Sequence, residues 1–252
     1  LIFKNMNTKS EKEWFASWFD TSYYHVLYQH RNDEEAREFI HKLVDFLCVP
    51  TGAKVLDLAC GKGRHAVTLH DCGLDVLGLD LSEQSIMAAK QMEKNGLQFD
   101  VHDMRNCYQE NTFDCVFNLF TSFGYFDDTQ DNLRVIDAVH QALKPNGLFV
   151  IDFLNANKVV AELVKEEVKS LDGITFHISR EFDGKHIFKH IHFVDNAQEY
   201  KFTERVQALT LTDFKHLLSA QFDLLHVFGD YDLSDFNPDD SPRLILIAKR
   251  KD

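Results

Sequence analysis

Apolar and polar positions alternate along the first two thirds of the chain with two different periods. Short apolar runs are typical of buried strands, and the longer segments between them repeat apolar residues every three to four positions, as helices do. The first strong helix is DEEAREFIHKLVDFL (33–47), and the strand-like runs are AKVLDLA (53–59), LDVLGLD (74–80), LQFDVHD (97–103), FDCVFNLF (113–120) and GLFVIDFLN (147–155). Strands that alternate with helices predict an α/β fold whose parallel sheet is covered by helices on both faces.

The pattern changes after residue 155, where alternating apolar and polar residues replace the helical segments. The stretch ITFHISREFDGKHIFKHIHFVDNAQEYKFTERVQALTL (174–211) divides at DG and DNAQ into three strands, and Asp183-Gly184 is typical of a hairpin turn. We therefore predict an antiparallel sheet over residues 172–210, inserted in a single domain that covers residues 1–252. The rest of this domain is predicted as a helical lid (1–35), a ligand-binding core (36–155) and a closing helix with two strands (211–252).

Composition and charge narrow the possible classes of function. The 252 residues are 44% hydrophobic and include 22 Phe, which is enough for one large core. A formal charge of −13 without a Lys/Arg cluster disfavours nucleic acid and anionic membranes as partners. Five cysteines without a CxxC pair indicate a reducing compartment rather than a disulfide framework or a structural zinc site. Because the chain has neither a membrane-spanning apolar run nor a signal-peptide pattern, we expect a cytoplasmic protein.

Acidic residues mark the ends of three successive predicted strands. Asp57 lies in the first strand, Asp80 closes the second and Asp103 follows the third, while Gly61 and Gly63 come just after the first. The carboxyl ends of parallel strands meet at one edge of the sheet, where open α/β folds bind ligands. There Asp80 can accept hydrogen bonds from ribose hydroxyls, Asp103 from an adenine amine, and Asp57 can attract an ammonium group. The two glycines let the backbone approach the ligand closely.

The glycine turn is compatible with two kinds of ligand. GKGRHA (61–66) matches the relaxed dinucleotide fingerprint, and Asp80 occupies the place of its ribose-binding acid, so a nicotinamide-dependent oxidoreductase is one interpretation. However, a pyrophosphate at this turn would lie beside the like charge of Asp57, and a dinucleotide does not require Asp103. These two acids count against a dinucleotide and favour an adenosine ligand that carries an ammonium group.

Several motifs resemble, in order and spacing, those of class I S-adenosylmethionine-dependent methyltransferases. They are VLDLACGKGRHA (55–66), GLDLSEQSI (78–86), HDMRN (102–106), FDCVFNLFTSFGYF (113–126) and LKPNGLFVIDFLN (143–155). YYHVLY (23–28) and the inserted sheet further resemble small-molecule methyltransferases, including those that N-methylate nucleotide-linked amino sugars. The resemblance implies a Rossmann-like fold with a seven-stranded, mostly parallel sheet and an antiparallel β insertion. It also implies S-adenosylmethionine as cofactor and a small-molecule acceptor, methylated on nitrogen or oxygen by direct displacement.

The resemblance also implies roles for individual residues. In this family the glycine turn holds the methionine end of the cofactor, the second-strand acid the ribose and the third-strand acid the adenine. The residues expected to bind the cofactor are Tyr28, Asp57, Ala59, Gly61, Gly63, Asp80, Leu81, Asp103, Met104, Asn118, Leu119 and Phe120. Cys60 is expected to be a packing residue, and Lys62 has no evident role at this stage.

Residues on the acceptor side must orient the nucleophile and take its proton. Tyr24 and Tyr125 are the candidate catalytic residues, because a Tyr or His can accept a proton directly or through water. Ser122, Arg180 and Arg205 are candidate substrate ligands. For the two arginines, surface salt bridges with Glu181 and Glu204 are the alternative.

The N-terminal segment and the inserted sheet contain further polar candidates. His25, His30 and Arg31 lie near the tyrosines, and surface placement is favoured over catalysis for the two histidines. His190 and His192 have the spacing of metal ligands on a strand, but no third ligand stands out, so no metal is expected. A non-catalytic adenosyl-ligand-binding protein, whose cleft would lack an acceptor site, remains an alternative beside the oxidoreductase. The protein is expected to be a monomer or a homodimer.

Overall fold

The helices and strands follow the predicted alternation in a computed structural model that describes residues 14–28 and 33–252. The helices are α1 (Trp14–Trp18), α2 (Ser22–Leu27), α3 (Asp33–Leu47), α4 (Arg64–Asp71), α5 (Glu83–Ala89), α6 (Thr129–Ala142), α7 (Ala156–Ala161) and α8 (Leu211–Leu218). The strands are β1 (Lys54–Leu58), β2 (Asp75–Asp80), β3 (Leu97–Val101), β4 (Phe113–Asn118), β5 (Leu143–Leu154), β6 (Glu166–Leu171), β7 (Ile174–Phe182), β8 (His186–Asp195), β9 (Gln198–Gln207), β10 (Phe222–Phe228) and β11 (Arg243–Arg250).

Seven strands form the main sheet, in the order β10-β11-β5-β4-β1-β2-β3. β1 pairs in parallel with β2 and β4, whereas β11 runs antiparallel to both of its neighbours, β5 and β10. This is the seven-stranded, mostly parallel Rossmann-like sheet that the sequence predicts. The strand order reverses between β1 and β4, and an open sheet binds ligands at such a reversal, beside the carboxyl ends of the strands.

The central strands are apolar along almost their whole length because helices cover both faces of the sheet. One face packs Phe149, Phe153 and Phe214 into a large apolar cluster, and the other packs Phe39 and Phe117. All five of these rings are fully buried. The centre of the sheet is therefore a rigid support for the loops that follow β1, β2 and β4.

Capping side chains explain where two helices begin. The Asp128 carboxylate accepts a hydrogen bond from the Gln130 amide, so α6 begins at Thr129. The Ser82 hydroxyl accepts the Ser85 amide at the start of α5, and that helix ends at Ala89. A single 3₁₀ turn follows, and the backbone then pairs with the start of β3, which stops the helix.

The inserted sheet has four strands, in the order β6-β7-β8-β9, and not the three that the sequence predicts. It begins at Glu166 rather than at residue 172. The additional edge strand, EEVKSL, is half charged and mostly exposed, so apolar alternation does not reveal it. Asp172 and Gly173, with φ of 48° and 80°, form its turn to β7, a second Asp-Gly hairpin signal beside Asp183-Gly184.

Helices α1 and α2 pack against the inserted sheet rather than against the main sheet alone. Their apolar contact buries Trp18, Leu27, Phe176, Ile178, Ile191 and Phe193. The Trp18 indole and the Tyr28 hydroxyl both donate hydrogen bonds to Glu204, each at 2.7 Å. The lid predicted over residues 1–35 includes residues 1–13 and 29–32, which lie outside the described part of the chain. Across that described part, none of the helices is long and apolar enough to cross a membrane.

Candidate active site

A cavity of about 440 Å³ lies at the carboxyl ends of β1, β2, β3 and β4. This volume falls within the range of sites for cofactors and small molecules. On the sheet side it is lined by Ala59, Cys60, Gly61, Lys62, Arg64, His65, Asp80, Leu81, Ser85, His102, Asp103, Met104, Leu119, Phe120, Thr121 and Ser122. On the opposite side it is lined by Phe15, Phe19, Tyr24, His25 and Tyr28, together with Tyr125 and Phe126.

The turn after β1 needs its glycines for two different reasons. Gly61 has φ of 56°, and a β carbon placed on it would have no atom within 4 Å, so the space beside its Cα atom is open. Gly63 has φ of 83°, and its β carbon would lie 2.6 Å from the Phe99 ring. The first glycine therefore leaves room at the cavity, whereas the second permits close packing where α4 begins.

Asp80 organises the rim of the cavity. One carboxylate oxygen accepts the Gly61 amide at 2.8 Å, and the other accepts the Ser82 amide at 2.8 Å. Burial raises the pKa of the Asp80 carboxyl, although these hydrogen bonds act in the opposite direction. A carboxylate offers about four acceptor positions, so roughly two remain for hydroxyl groups of a ligand.

Asp103 lies across the rim and is held by Arg105. The Arg105 side chain donates to both carboxylate oxygens, at 3.0 Å from Nε and 2.7 Å from Nη2, and its amide donates at 2.9 Å. Burial acts to raise the pKa of Asp103, but the hydrogen bonds and charge of Arg105 keep it below its ordinary value. Asp103 is thus a fixed carboxylate at the cavity wall, next to the Met104 backbone.

Asp57 and Asn118 lie behind the cavity wall rather than in it. The Asp57 side chain is buried, and its Oδ2 atom has no hydrogen-bond partner within the described ranges. Burial, followed by the charge of Asp80, raises the pKa of Asp57 to about 7. Asn118 donates to the Leu58 carbonyl at 3.0 Å, which joins β4 to β1. Gly63 also lies outside the lining residues.

The turn after β4 places an aromatic ring in the cavity. Leu119, Phe120 and Ser122 all line it, as does Thr121. The Phe120 ring stacks on the His65 imidazole with ring centres 4.6 Å apart, and the Arg64 guanidinium lies 4.8 Å from its centre. The loop after β4 and the start of α4 therefore share one wall of the cavity.

The N-terminal helices contribute the aromatic side of the cavity. The Tyr24 ring contacts the rings of Phe19 and Tyr28, at 5.0 Å and 4.9 Å. Tyr28 donates its hydroxyl to Glu204 and receives a hydrogen bond from Lys189. Tyr125 packs against Phe19 from the loop after β4, at 5.3 Å. The two candidate catalytic tyrosines thus lie in the same cavity, on different elements.

His25 lies in the wall of this cavity, so the expected surface placement is wrong. Burial, and then the charge of Lys62, lower the pKa of His25 to about 4, so its imidazole is neutral at physiological pH. His30 and Arg31 fall outside the described residues. Lys62 lines the same cavity from the sheet side, and no carboxylate within the described ranges forms an ion pair with it.

The structure places Arg180 and Arg205 outside the cavity. Arg180 forms a salt bridge with Glu167 at 2.6 Å, and Arg205 pairs with Asp127. Both partners differ from Glu181 and Glu204, which the sequence suggests as alternatives, because the strand pairing brings other elements next to the two arginines. No observation in the structure supports either arginine as a substrate ligand.

Sequence reasoning missed several residues that line the cavity. Phe15 and Phe19 are four residues apart in a helical segment, a spacing that places both rings on one face. Arg64 and His65 follow the glycine turn directly, so proximity to the turn was the available signal. Within the described ranges, no group of three or more His, Cys, Asp or Glu side chains is arranged to hold a metal ion.

The groups around the cavity fit S-adenosylmethionine, the cofactor that the resemblance implies. The carboxylates of Asp80 and Asp103 match the ribose hydroxyls and adenine amine, and the open face of Gly61 leaves room for the tail. Asp57, with an unpartnered buried oxygen, and Lys62, without a paired carboxylate in the described part, match the ammonium and carboxylate groups of that tail. A pyrophosphate at this turn would instead lie beside the like charge of Asp57.

Comparison with known proteins identifies the family. The profile of the methyltransferase domain family matches residues 51–226. A putative methyltransferase of Bacillus subtilis, YqeM, is 28% identical over 214 residues, which cover 80% of this chain and 86% of that protein. The family match favours a methyltransferase over the nicotinamide-dependent oxidoreductase that the glycine turn also allowed.

Solved structures share the fold. An S-adenosylmethionine-dependent methyltransferase from Clostridium acetobutylicum superposes with a TM-score of 0.76 at 19% identity, covering 90% of this chain and 95% of that one. CalS10, an amino pentose methyltransferase from Micromonospora echinaspora solved with bound S-adenosylmethionine, has a TM-score of 0.67 at 19% identity, covering 92% and 98%. The chain therefore belongs to the methyltransferase domain family and is, as its motifs predict, a class I S-adenosylmethionine-dependent methyltransferase.

Proposed function

We propose that this enzyme methylates a nitrogen or oxygen atom of a small-molecule acceptor that binds between the loop after β4 and helices α1 and α2. The observation that carries this proposal is a single cavity shared by the strand-end acids and by the aromatic side chains of these helices. CalS10, an amino pentose methyltransferase, has the same fold and is consistent with a small acceptor.

In this proposal the adenosine half of the cofactor lies against the ends of β2 and β3. Asp80 and the Leu81 backbone bind the ribose, and Asp103 with the Met104 backbone binds the adenine. The hydrogen bonds that Asp80 receives from Gly61 and Ser82 support its role, because they fix the orientation of the carboxylate. Arg105 does the same for Asp103.

The methionine half of the cofactor follows the turn after β1. Ala59, Gly61 and Gly63 shape this turn, and the buried Asp57 carboxylate supplies negative charge beneath the ammonium group. Lys62 lies on the same turn and meets the carboxylate group of the tail. Leu119, Phe120 and Tyr28 then enclose the methyl-bearing end, with Asn118 holding β4 against β1 beneath them.

The bound cofactor supplies a methyl group on a sulfonium, whose sulfur leaves as a neutral thioether when the new nitrogen–carbon or oxygen–carbon bond forms. The enzyme's own contribution is to align the acceptor atom with that methyl group and to exclude water. Aromatic faces of Phe19, Tyr24 and Tyr125 stabilise positive charge near the reacting atoms. The acceptor's proton leaves through Tyr24, Tyr125 or water, and Ser122 orients the acceptor.

The cavity lining favours an acceptor that does not need a carboxylate partner. Among the described residues, Asp80 and Asp103 are the acids that line the cavity, and both are assigned to the cofactor. Lys62 and Arg64 line the sheet side of the cavity, and the neutral His25 lines the opposite side. An acceptor amine would therefore bind uncharged, among aromatic rings and hydroxyl groups, although the whole protein carries a net negative charge.

Incorporation of a radiolabelled methyl group tests the proposal. The enzyme is incubated with labelled donor and a panel of amines, amino sugars and small hydroxyl compounds, and S-adenosylhomocysteine binding is measured by calorimetry. We expect at least one small acceptor to be labelled, and Tyr24→Phe or Tyr125→Phe to lower its turnover about 100-fold. Tyr108→Phe is the matched control, because that hydroxyl donates to Asp100 at 2.8 Å, outside the cavity.

Two outcomes of this experiment contradict the proposal. If the enzyme binds S-adenosylhomocysteine but labels none of the small acceptors, while a protein or nucleic acid becomes labelled, the acceptor class is wrong. Binding without transfer to any acceptor would favour the non-catalytic adenosyl-ligand-binding protein. Cytoplasmic location and a monomeric or homodimeric state belong to the same proposal and are tested by fractionation and light scattering.

A further inference from the structure

Two consecutive residues in the cavity wall have an unfavourable backbone conformation. Phe120 and Thr121 follow β4, and their φ angles are 58° and 60°. Bulky and β-branched residues rarely adopt the left-handed region, and such residues persist only where their surroundings hold them. The contacts around this turn therefore indicate which residues keep it in place.

Asp152 on β5 binds both amides of the turn. Its Oδ2 atom accepts the Phe120 amide at 2.9 Å, and its backbone carbonyl accepts the Thr121 amide at 2.9 Å. Asp152 is fully buried, and a buried carboxylate without compensation would be unfavourable. It needs a cation or further donors beside it.

Arg243 and Tyr231 provide this compensation. Arg243 Nε donates to Asp152 Oδ1 at 2.7 Å, and its Nη2 donates to the Thr121 hydroxyl oxygen at 3.0 Å. The Tyr231 hydroxyl lies 3.3 Å from Asp152 Oδ2. Burial and the charge of Asp152 raise the pKa of Tyr231, so its hydroxyl keeps the proton that it donates.

The turn presents its side chains to the cavity, whereas the three residues that hold it do not reach the cavity. Phe120 and Thr121 line the cavity, and the Phe120 ring stacks on His65 at 4.6 Å. Asp152, Arg243 and Tyr231 are not among the residues that line the cavity, although the Tyr231 ring packs against the Phe120 ring with centres 5.5 Å apart. Their hydrogen bonds reach the cavity lining at residues 120 and 121.

We propose that Asp152, Arg243 and Tyr231 are positioning residues that hold the Phe120–Thr121 turn in its left-handed conformation, so that Phe120 closes the methyl-bearing end of the cofactor site. This inference rests on the proposed cofactor site and adds three residues to which neither the motifs nor the cavity lining assigns a role. Arg243 is the central member, because one side chain contacts both the carboxylate and the turn.

A glycine rescue tests the inference. Glycine adopts positive φ at little cost, so Thr121→Gly removes much of the need for a network that enforces it. We expect Arg243→Lys, which keeps the charge but loses the planar fork, to weaken S-adenosylhomocysteine binding about tenfold in calorimetry. Thr121→Gly alone gives the baseline Kd, and Arg243→Lys added to it should weaken binding less than about threefold relative to that baseline, so that glycine recovers most of the affinity that Arg243→Lys loses in the wild type.

Asn155→Ala is the matched control. Asn155 is buried at the end of β5 and donates to the carbonyls of Pro238 and Ser241, at 2.9 Å and 2.8 Å, without contacting the turn. It should lower the melting temperature and leave the Kd unchanged. Should Arg243→Lys behave like this control, or Thr121→Gly give no recovery, the network has a purely structural role and the inference is wrong.

Two further measurements keep the result interpretable. If Arg243→Lys does not fold, Tyr231→Phe decides, because it removes one hydroxyl contact without a change of charge. It should weaken binding about threefold, and Thr121→Gly should restore it; an unchanged Kd overturns the inference. Wild-type affinity for S-adenosylhomocysteine is measured first. If the wild type does not bind this ligand, the proposed function is wrong, and the failure is not caused by the network.

Discussion

Replacement of Asp80 by Asn tests the proposed cofactor site at its most constrained residue. The substitution preserves the shape of the side chain and removes its charge and part of its acceptor capacity. In the structure the carboxylate accepts the amides of Gly61 and Ser82, each at 2.8 Å. The same side chain thus organises the turn and, in our proposal, binds the ribose.

The expected loss of affinity follows from the number of hydrogen bonds. About two acceptor positions of Asp80 remain for the two ribose hydroxyls, and hydrogen bonds to a charged acceptor contribute about 1.5–3 kcal/mol each. Loss of one to two of them costs about 3 kcal/mol, which raises the Kd for S-adenosylhomocysteine about 100-fold. The effect on folding is smaller. One amide loses its acceptor, which costs about 1–3 kcal/mol, but a buried charge is also removed, so we expect the variant to remain folded.

Calorimetry with two ligands separates the ribose contact from a general disturbance. 5′-Deoxy-5′-methylthioadenosine keeps the adenosine and lacks the amino-acid tail, so Asp80→Asn should weaken both ligands by the same factor. Ser82→Ala is the control. It removes the N-cap hydroxyl of α5, which accepts the Ser85 amide at 3.0 Å, and leaves the Asp80 carboxylate in place. It should cost about 1 kcal/mol of stability and change the Kd little. A change below about threefold for Asp80→Asn would refute the ribose assignment.

The remaining predictions concern the tail of the cofactor and the lid. Lys62→Gln should weaken S-adenosylhomocysteine about tenfold and leave methylthioadenosine unchanged in calorimetry, and equal losses would contradict an ion pair with the tail. Because burial and the charge of Asp80 raise the pKa of Asp57 to about 7, affinity for S-adenosylhomocysteine should fall as the pH is lowered through that value, and Asp57→Asn should remove the dependence. Between about pH 4 and 7 the folded chain keeps this proton, whereas the unfolded chain has released it. The free energy of unfolding in urea should therefore fall as the pH rises through this range and then level off. Glu204→Gln weakens the hydrogen bonds from Trp18 and Tyr28 and should speed S-adenosylhomocysteine dissociation in stopped flow, whereas Glu199→Gln, whose carboxylate contacts the exposed His192 at 2.8 Å, should not.

Local patterns were sufficient for the core of the fold. The apolar runs 53–59, 74–80 and 113–120 became β1, β2 and β4, because buried parallel strands need continuous apolar residues whatever their neighbours are. The inserted sheet was recognised for the same reason where its strands alternate. Its edge strand, Glu166–Leu171, was not recognised, because an exposed strand has no apolar face to mark it.

Prediction of the candidate site was less complete on the side of the lid. Asp80, Asp103 and Gly61 were expected at the cavity because strand ends and turns place them there directly. His25 was expected on the surface, since nothing in its neighbouring residues shows that α2 faces the cavity. Arg180 and Arg205 were considered as ligands, but their partners depend on the pairing of strands and loops that are distant in the chain.

The sequence alone determined the class of fold, the enzyme family and the position of Asp80 and Asp103 at the cavity, because periodicity and motifs are local. Only the tertiary structure decided which aromatic side chains close the cavity and that Asp152, Arg243 and Tyr231 hold the Phe120–Thr121 turn. Arg243 lies 122 residues from Thr121 along the chain, and the two meet because β11 pairs with β5 next to β4. Contacts of this range arise from the order of strands in the sheet, which no local pattern contains.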